Sequence, residues 1–355
     1  MKLKKQLSLL LCGAMMVSAL AGCGNGGSSS SASGSDSASG SQSSSSVGDT
    51  SQSDAYTLPN IMVLSGPTGV GAAKLMADNE AAEFYDKVAA SATVEADNQA
   101  VSSALINGDA DIAAVATNVA ATLVNKNPES IQVLAVNTLG VLYIMENGDS
   151  IQSAADLRGK TIYTTGQGAN PEYVLKYVLE KNGIDPETDV KIEYVSQNEE
   201  LAALLANGTA QVAMVPEPTV TTILAQKPEL RVALNVTEEW DKASGGASKL
   251  MMGCVVVRSA FAAEHPEAVE TFLAEYKASV EKAAAELENT AALCESYGII
   301  PKAAVAKQAI PRCNLVYIDG AEMKAQISGY FDVLYAANPK SVGGAVPDEA
   351  FYYGA

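Results

Sequence analysis

Two stretches of the chain repeat each other and decide the fold: ALINGDADIAAVATNVAATLVNKNPESIQVLAVNT (104–138) and LLANGTAQVAMVPEPTVTTILAQKPELRVALNVT (204–237). Asn107-Gly108 corresponds to Asn207-Gly208, and the Pro-Glu pair that follows each second helix is also repeated. Each copy predicts a helix that stops at Asn-Gly, a short apolar strand, a turn, a second helix and a closing strand. The pattern is therefore that of a β/α unit present twice.

Each copy is preceded by an entry unit that also has the pattern of strand, Gly-rich turn and helix. These units are IMVLSGPTGVGAAKL (61–75) and KTIYTTGQGANPEYVLKYVLEKNG (160–183). Strands that alternate with helices predict a mainly parallel sheet covered on both faces. Two copies, each with its own entry unit, predict an α/β protein with two doubly wound lobes.

Two apolar, β-rich runs connect the predicted lobes: LGVLYIMENG (139–148) and KLMMGCVVVRSAF (249–261). We interpret them as two crossover strands that form a hinge near Tyr143 and Cys254. Lobe one is then expected to comprise residues 56–141 and 256–355, and lobe two residues 142–255. The mostly helical C-terminal part returns to lobe one in this interpretation.

The first Gly-rich turn has the layout of a phosphate-binding loop but not its chemistry. Gly66 and Gly71 have the P-loop separation, but Ala72 and Ala73 stand where Lys and Ser or Thr are needed. Lys74 likewise replaces the third glycine of the dinucleotide-binding pattern. The sequence therefore predicts a turn that presents backbone to a ligand other than a nucleotide.

The N-terminus has the pattern of an export signal. Three lysines precede the apolar run 7–20, which is short for a bilayer span and typical of a signal-peptide core. Leu20-Ala21-Gly22-Cys23 then looks like a bacterial lipobox, in which Cys23 becomes the lipidated first residue of the mature chain. We expect residues 1–22 to be a lipoprotein signal peptide and the protein to be anchored at the extracytoplasmic face of the cell membrane.

A Ser/Gly-rich tract follows Cys23 and is expected to be a disordered tether over residues 23–55, because it has almost no apolar side chains to bury. A coil of ~30 such residues spans about 30 Å. Removing the three lysines that precede Cys23 takes the formal net charge from −18 to −21. Such an acidic surface repels nucleic acid, so no nucleic-acid partner is expected.

Cysteine and histidine usage argues against metal and nucleophilic chemistry. Cys254, Cys294 and Cys313 remain in the mature body, and the chain has one histidine, His265. A Cys/His zinc site or a catalytic triad built on His265 is not predicted, and no cofactor is expected. A Cys294–Cys313 disulfide and three buried free thiols both remain open.

The chain resembles the solute-binding lipoproteins of ABC importers, in the branch that includes nitrate, sulfonate/taurine and thiamine-pyrimidine-precursor binders. The resemblance covers the mature body and is carried by the lipobox and tether, the repeated NG-[DT]-A-[DQ]-[IV]-A unit, and the stretches 153–175 and 253–273. It implies the type II periplasmic-binding-protein fold and capture of a small organic solute between two lobes. It also implies delivery to ABC permease subunits, a monomeric state and no enzymatic activity. The alternatives are a sensory or adhesion lipoprotein of the same fold and an extracytoplasmic enzyme that uses carboxylates.

The loops at the carboxyl ends of the strands are the predicted binding site, because helices begin there with free N–H groups. The candidate ligand-binding residues are Ser65, Gly66, Thr68, Gly69, Thr117, Asn118, Asn137, Thr138, Thr165, Gly166, Gln167, Gly168, Asn170, Glu217 and Thr219. Each of these residue types also serves turns and helix caps, but together they are expected to face one cleft.

Glu217 is the most informative candidate, because it is a carboxylate held between two prolines at a strand end. It is expected to accept a hydrogen bond from a ligand N–H group or a cationic amine. None of the five loops contains Lys or Arg, so a neutral or cationic solute, heteroaromatic ones included, is favoured over nitrate or sulfonate. Tyr143, Tyr163 and Tyr173 are the candidates for stacking on it.

Overall fold

The fold is an α/β arrangement with two separate sheets, seen in a computed structural model that describes residues 57–83 and 86–354. The predicted signal peptide, Cys23 and the tether lie outside the described residues. The eleven described strands are β1 Asn60–Leu64, β2 Ser91–Glu95, β3 Ile112–Ala116, β4 Ile131–Thr138, β5 Leu142–Glu146, β6 Thr161–Thr164, β7 Lys191–Tyr194, β8 Val212–Pro216, β9 Arg231–Asn235, β10 Gly253–Arg258 and β11 Leu315–Asp319.

Helices cover both sheets. Those described are α1 Pro67–Val70, α2 Ala73–Ala81, α3 Asn98–Asn107, α4 Thr117–Lys126, α5 Asn170–Lys181, α6 Asn198–Ala206, α7 Thr219–Gln226, α8 Val236–Ala243, α9 Ser259–Glu264, α10 Pro266–Ala285, α11 Leu287–Ser296, α12 Ala303–Ala309 and α13 Gly320–Ala337. Short 3-10 helices occupy Ala154–Leu157, Ile310–Arg312, Pro339–Val342 and Glu349–Phe351.

The two sheets have related topologies. The first has the strand order β11-β4-β10-β3-β1-β2, and the second has the order β7-β6-β8-β5-β9. Strand β1 runs parallel to β2 and β3, and β6 runs parallel to β7 and β8. One crossover strand runs antiparallel within each sheet: β10 lies between β3 and β4, and β5 lies between β8 and β9. The predicted fold class, two doubly wound lobes joined by two crossover strands, is confirmed.

The internal repeat corresponds to β3–α4–β4 in lobe one and β8–α7–β9 in lobe two. The helix before each unit ends at Asn-Gly, and the glycines, Gly108 and Gly208, have φ values of 81° and 79°. This left-handed conformation favours glycine, which explains the repeated helix stop. Thr122 and Thr222 then make the same contact, since each hydroxyl donates to the carbonyl four residues earlier. The two copies of the repeat thus share individual side-chain contacts as well as their secondary structure.

The C-terminal part returns to lobe one and also reaches lobe two. Strand β11 pairs with β4, and α10 packs on α2. Helix α13 packs on β4 and on α5 of lobe two. At this second contact Trp240 is fully buried between Tyr177 and Tyr330, with ring-centroid distances of 4.5 and 5.5 Å. Trp240 is therefore a core residue, and the residue boundaries of the lobes stay a prediction.

The three cysteines of the body are free and buried. Burial raises the pKa of Cys254 and Cys294 to about 12, so their thiols are uncharged at neutral pH. Among the described residues, no three His, Cys, Asp or Glu side chains are grouped as metal ligands. Within the same part of the chain, no helix has the length and apolar character of a membrane span.

Candidate functional site

The predicted loops lie at corresponding edges of the two sheets. In lobe one, Gly253 at the start of β10 pairs with Ala116 and Thr138, which end β3 and β4. In lobe two, Leu142 at the start of β5 pairs with Pro216, which ends β8. The crossover strands therefore enter each sheet at the edge where the carboxyl ends of the parallel strands meet. This is the edge at which ligands bind in doubly wound sheets.

In the first loop, which follows β1, two backbone N–H groups donate hydrogen bonds within the protein. The Ser65 N–H donates to Glu95 O at 2.7 Å, and the Gly66 N–H donates to Ile299 O at 2.8 Å. Helix α1 has four residues, and a Cβ at Gly69 would collide with the carbonyl oxygen of Leu64. The expectation of free N–H groups does not hold at Ser65 and Gly66. A part for Ser65, Gly66, Thr68 and Gly69 in ligand binding stays a prediction.

A buried polar network holds the lobe-one loops together. The Asn137 side-chain amide donates to Thr68 O at 2.9 Å and to the Tyr276 hydroxyl at 2.8 Å. The Thr138 hydroxyl donates to Asn137 Oδ1 at 3.0 Å. Asn137 and Thr138 are each 1% exposed. Their polar atoms thus have partners within the protein, and the network fixes the first loop relative to β4.

Other predicted residues keep polar atoms without partners. Thr117, at the start of α4, is fully buried, and its hydroxyl lies against the Cys254 thiol without a partner nitrogen or oxygen within the described residues. Asn170, at the start of α5, is 4% exposed, and neither end of its amide is bonded there. Asn118 is buried beside Thr117. Buried polar groups normally have partners. A part for Thr117, Asn118 and Asn170 in ligand binding stays a prediction.

The Gly-rich turn before α5 is held by its own contacts. The Thr165 hydroxyl donates to Asn198 Oδ1 at 3.0 Å, and the Gly168 N–H donates to Glu172 Oε2 at 2.6 Å. Gly166 has a φ of 78°, and a Cβ there would lie 2.8 Å from the ring of Pro171. Gln167 and Gly168 are exposed. The glycine at 166 is therefore explained by the turn itself.

Glu217 lies where the sequence places it, at the end of β8 and before α7. Its side chain is fully buried. Oε2 accepts one long hydrogen bond from the Thr221 N–H at 3.3 Å, whereas Oε1 has no hydrogen-bond partner within the described residues. Burial raises the pKa of Glu217, and contacts with Thr221 and Arg312 oppose this shift only in part. Thr219, at the start of α7, is half-buried beside it.

Arg312 is the residue of this site that the sequence analysis missed. Its guanidinium nitrogen lies 3.6 Å from Glu217 Oε1, and its side chain is 42% exposed. The Tyr143 hydroxyl donates to the Arg312 carbonyl at 2.9 Å, which ties the segment to β5. Arg312 is the single arginine after Arg258 and lies just before β11. This isolated position was the one feature of the sequence that could have indicated a role in the site. The absence of Lys and Arg from the five loops therefore does not make the site free of positive charge.

The three candidate stacking tyrosines differ in their surroundings. Tyr143 is 6% exposed with its hydroxyl already bonded, and burial raises its pKa to about 12. Tyr173 is 7% exposed and donates to Gly168 O at 3.3 Å. Tyr163 is half-buried on β6. A stacking role for any of them stays a prediction.

Comparison with known proteins identifies the family. Residues 87–301 match the family model for the ABC transporter, phosphonate, periplasmic substrate-binding protein. The chain belongs to this family. Members are the periplasmic substrate-binding components of ABC import systems, so this substrate-binding protein presents a small solute to the permease of an importer. Among proteins with curated descriptions, none matches the chain.

Solved structures share the fold of this substrate-binding protein at low sequence identity. An ABC transporter protein from Parabacteroides distasonis is 22% identical with a TM-score of 0.70, over 83% of this chain and 98% of that one. The periplasmic aliphatic sulphonate binding protein from Escherichia coli is 17% identical with a TM-score of 0.65, over 80% and 89%. A putative sulfonate-binding protein from Methylobacillus flagellatus is 21% identical with a TM-score of 0.58, over 80% and 87%. These likenesses support the periplasmic-binding-protein fold.

Proposed function

We propose that this substrate-binding protein recognises a neutral or cationic small organic solute through an N–H or ammonium group that meets Glu217. The observation that supports this most is the Oε1 atom of Glu217, which is buried and has no hydrogen-bond partner among the described residues. The guanidinium of Arg312 forms only a long ion pair with it, at 3.6 Å. A buried carboxylate in this condition is costly unless a donor meets it. A ligand ammonium would supply that donor as a charge-assisted hydrogen bond.

Arg312 adds a second requirement to this proposal. Its guanidinium is partly exposed beside Glu217, so a solute that carries an anionic group next to its N–H group would satisfy both charges. The description of the family model names phosphonate, and those of several structural neighbours name sulfonates. A net-neutral solute that combines an amine with such an anion fits this pair of residues better than a plain anion does.

Matched pairs of ligands test the proposal. Thermal unfolding of the mature protein is followed with 2-aminoethylphosphonate against ethylphosphonate, with taurine against ethanesulfonate, and with pyrimidines that carry an amino group. A ligand at a hundred times its dissociation constant adds about 2.7 kcal/mol of stability. We expect the amine-bearing member of a pair to raise the melting temperature more. Equal shifts within every pair, or larger shifts with the members that lack the amine, would contradict a role for Glu217 in recognising N–H groups.

We also propose that Cys23 carries the lipid that anchors the protein at the extracytoplasmic membrane face. The support is the sequence before and after it: a charged start, an apolar core, Leu-Ala-Gly-Cys and a Ser/Gly-rich tract. A lipid at one end and a folded body at the other makes a protein anchored to the membrane.

Cys23→Ser is expected to release the body from the membrane fraction, because the thiol is the acylated group. The measurement is the distribution of the protein between membrane and soluble fractions of the producing cells, with Cys254→Ser as the control. Retention of the Cys23→Ser protein in the membrane fraction would rule out this site of lipidation.

A further inference from the structure

The repeat places one groove on each lobe, between the two helices of each unit. In lobe one it lies between α3 and α4 and is lined by Gln99, Ser102, Val119, Thr122 and Lys126, among others. In lobe two it lies between α6 and α7 and is lined at the equivalent positions by Glu199, Ala202, Thr219, Thr222 and Gln226. The first groove has a volume of about 220 Å³ and the second about 410 Å³. The second lies within the ~300–1,000 Å³ range of small-molecule sites.

The lobe-two groove is larger because a separate segment roofs it. Pro301, Lys302 and Val305 line its outer side, and they belong to the segment that leads into and forms α12. Helix α12 packs on α7 of lobe two and also on α11, which in turn packs on α2 of lobe one. The roof is not part of the repeat. The cavity therefore has walls from both lobes.

The lining of the cavity combines carbon surface and the polar Thr219, Thr222 and Gln226 with one charge of each sign. Ala202, Pro218, Ala225 and Val305 provide carbon surface. Glu199 stands on the lobe-two wall and Lys302 on the roof. Both residues are exposed, and within the described residues neither side chain makes a hydrogen bond or an ion pair. The lining therefore fits a small molecule with an apolar body and two opposite charges.

We propose that this roofed groove is a second binding site, for a small zwitterion with an apolar body such as an apolar amino acid. It adjoins the site at Glu217, since Pro218 and Thr219 line the groove, but Glu217 itself is not among the lining residues. Glu199 would accept the ammonium group and Lys302 would hold the carboxylate. Because the walls come from both lobes, the occupant stabilises this arrangement of the lobes. It therefore strengthens binding of the solute in the cleft, and the solute strengthens binding of the occupant equally.

Calorimetric titration of the mature protein with L-leucine tests this proposal. L-alanine has the same charges without the apolar body, and isoamylamine has the body without the carboxylate. We expect leucine to bind at least about tenfold more tightly than alanine, because each buried methylene contributes about fourfold. Isoamylamine is expected to bind more weakly than leucine, because it offers nothing to Lys302.

Two variants with matched controls locate the site. Ala202→Leu fills the cavity and should abolish leucine binding, whereas Ala203→Leu, at an exposed position on the same helix, should leave it unchanged. Lys302→Gln should remove the preference for leucine over isoamylamine, and Lys307→Gln should not, because Lys307 pairs with Glu288. Melting curves of each variant check that it is folded.

Three results would overturn the second site. They are no binding of leucine at millimolar concentration, equal binding by wild type and Ala202→Leu, and loss of leucine binding in Glu217→Gln but not in Ala202→Leu. The last result would place leucine in the cleft. Solute binding at Glu217 is measured separately with the amine-bearing ligand pairs, so either proposal can fail alone.

Discussion

Replacing Glu217 by glutamine is expected to weaken binding of an amine-bearing solute about ten- to a hundredfold. The side chain keeps its shape, but it loses its charge, and one of its two acceptor atoms becomes a donor. A hydrogen bond to a charged group contributes roughly 1.5–3 kcal/mol, and tenfold in affinity corresponds to about 1.4 kcal/mol. Titration calorimetry with the best ligand of the matched pairs measures the change.

The pH dependence follows from the raised pKa of Glu217. As the pH falls through this pKa the carboxylate is protonated, so affinity for a cationic group should fall with it in the wild type. A glutamine side chain has no such proton to gain, so the Glu217→Gln protein should lose this dependence. A wild-type affinity that is independent of pH over the acidic range would show that the charge of Glu217 does not contribute.

The same substitution is expected to raise stability in the absence of ligand. Burial raises the folded-state pKa of Glu217 above its unfolded value. The stability associated with this group is therefore fully present below the unfolded pKa and is lost as the pH rises through the folded pKa. Above the folded pKa the ionised carboxylate lowers stability, and glutamine removes that effect. Binding sites commonly lower stability in this way.

Glu238→Gln is the matched control for both effects. Glu238 is an exposed carboxylate in the first turn of α8, where it accepts a hydrogen bond from the Asn235 side-chain amide at 3.1 Å. Its replacement should change neither the affinity nor the melting temperature appreciably. If Glu217→Gln and Glu238→Gln bind the solute equally well, Glu217 does not contact the ligand. Tighter binding by Glu217→Gln would point to an anionic ligand.

Trp240→Ala is expected to reduce the free energy of unfolding by about 3–5 kcal/mol, the usual loss when a fully buried Trp is truncated. Trp240 is 0% exposed and lies between Tyr177 of α5 and Tyr330 of α13. Its removal leaves a cavity at the contact through which the C-terminal helix reaches lobe two. Urea denaturation, with the midpoint and slope compared to wild type, measures the loss.

Tyr335→Ala is the control for this change, because Tyr335 lies on the same helix α13 and is 39% exposed. It should cost well under half as much stability as Trp240→Ala. A loss below about 1 kcal/mol for Trp240→Ala would mean that α13 does not depend on this contact. The effect on ligand binding is expected to be secondary, since Trp240 is buried between Tyr177 of α5 and Tyr330 of α13.

The sequence predicts the architecture well, because local patterns specify it. The Asn-Gly helix stops, the short apolar strands and the duplicated β/α unit depend on residues near one another in the chain. The two crossover strands could be predicted from their β-rich composition between the copies. Glu217 could be placed at the end of β8 for the same reason, since the repeat defines where that strand ends.

The chemistry of the site depends on partners that lie far away in the sequence. No local pattern indicates that Ile299 O takes the Gly66 N–H, or that Tyr276 holds Asn137. Arg312 reaches Glu217 only because the chain returns to pair β11 with β4. The positions of strand ends and helix starts can thus be predicted from the sequence. The hydrogen-bond partners of the residues at these positions, and the charges placed beside them, depend on the tertiary structure.

Small-angle scattering of the mature protein, with and without saturating amine-bearing ligand, tests most directly that the solute is captured between the two lobes. The hinge strands near Tyr143 and Cys254 are expected to let the lobes close on the ligand. The ligand concentration is chosen so that it saturates the wild type but leaves Glu217→Gln largely unbound. At this concentration we expect the radius of gyration to decrease in the wild type and not in Glu217→Gln. An unchanged radius of gyration in the saturated wild type would contradict capture by closure of the lobes.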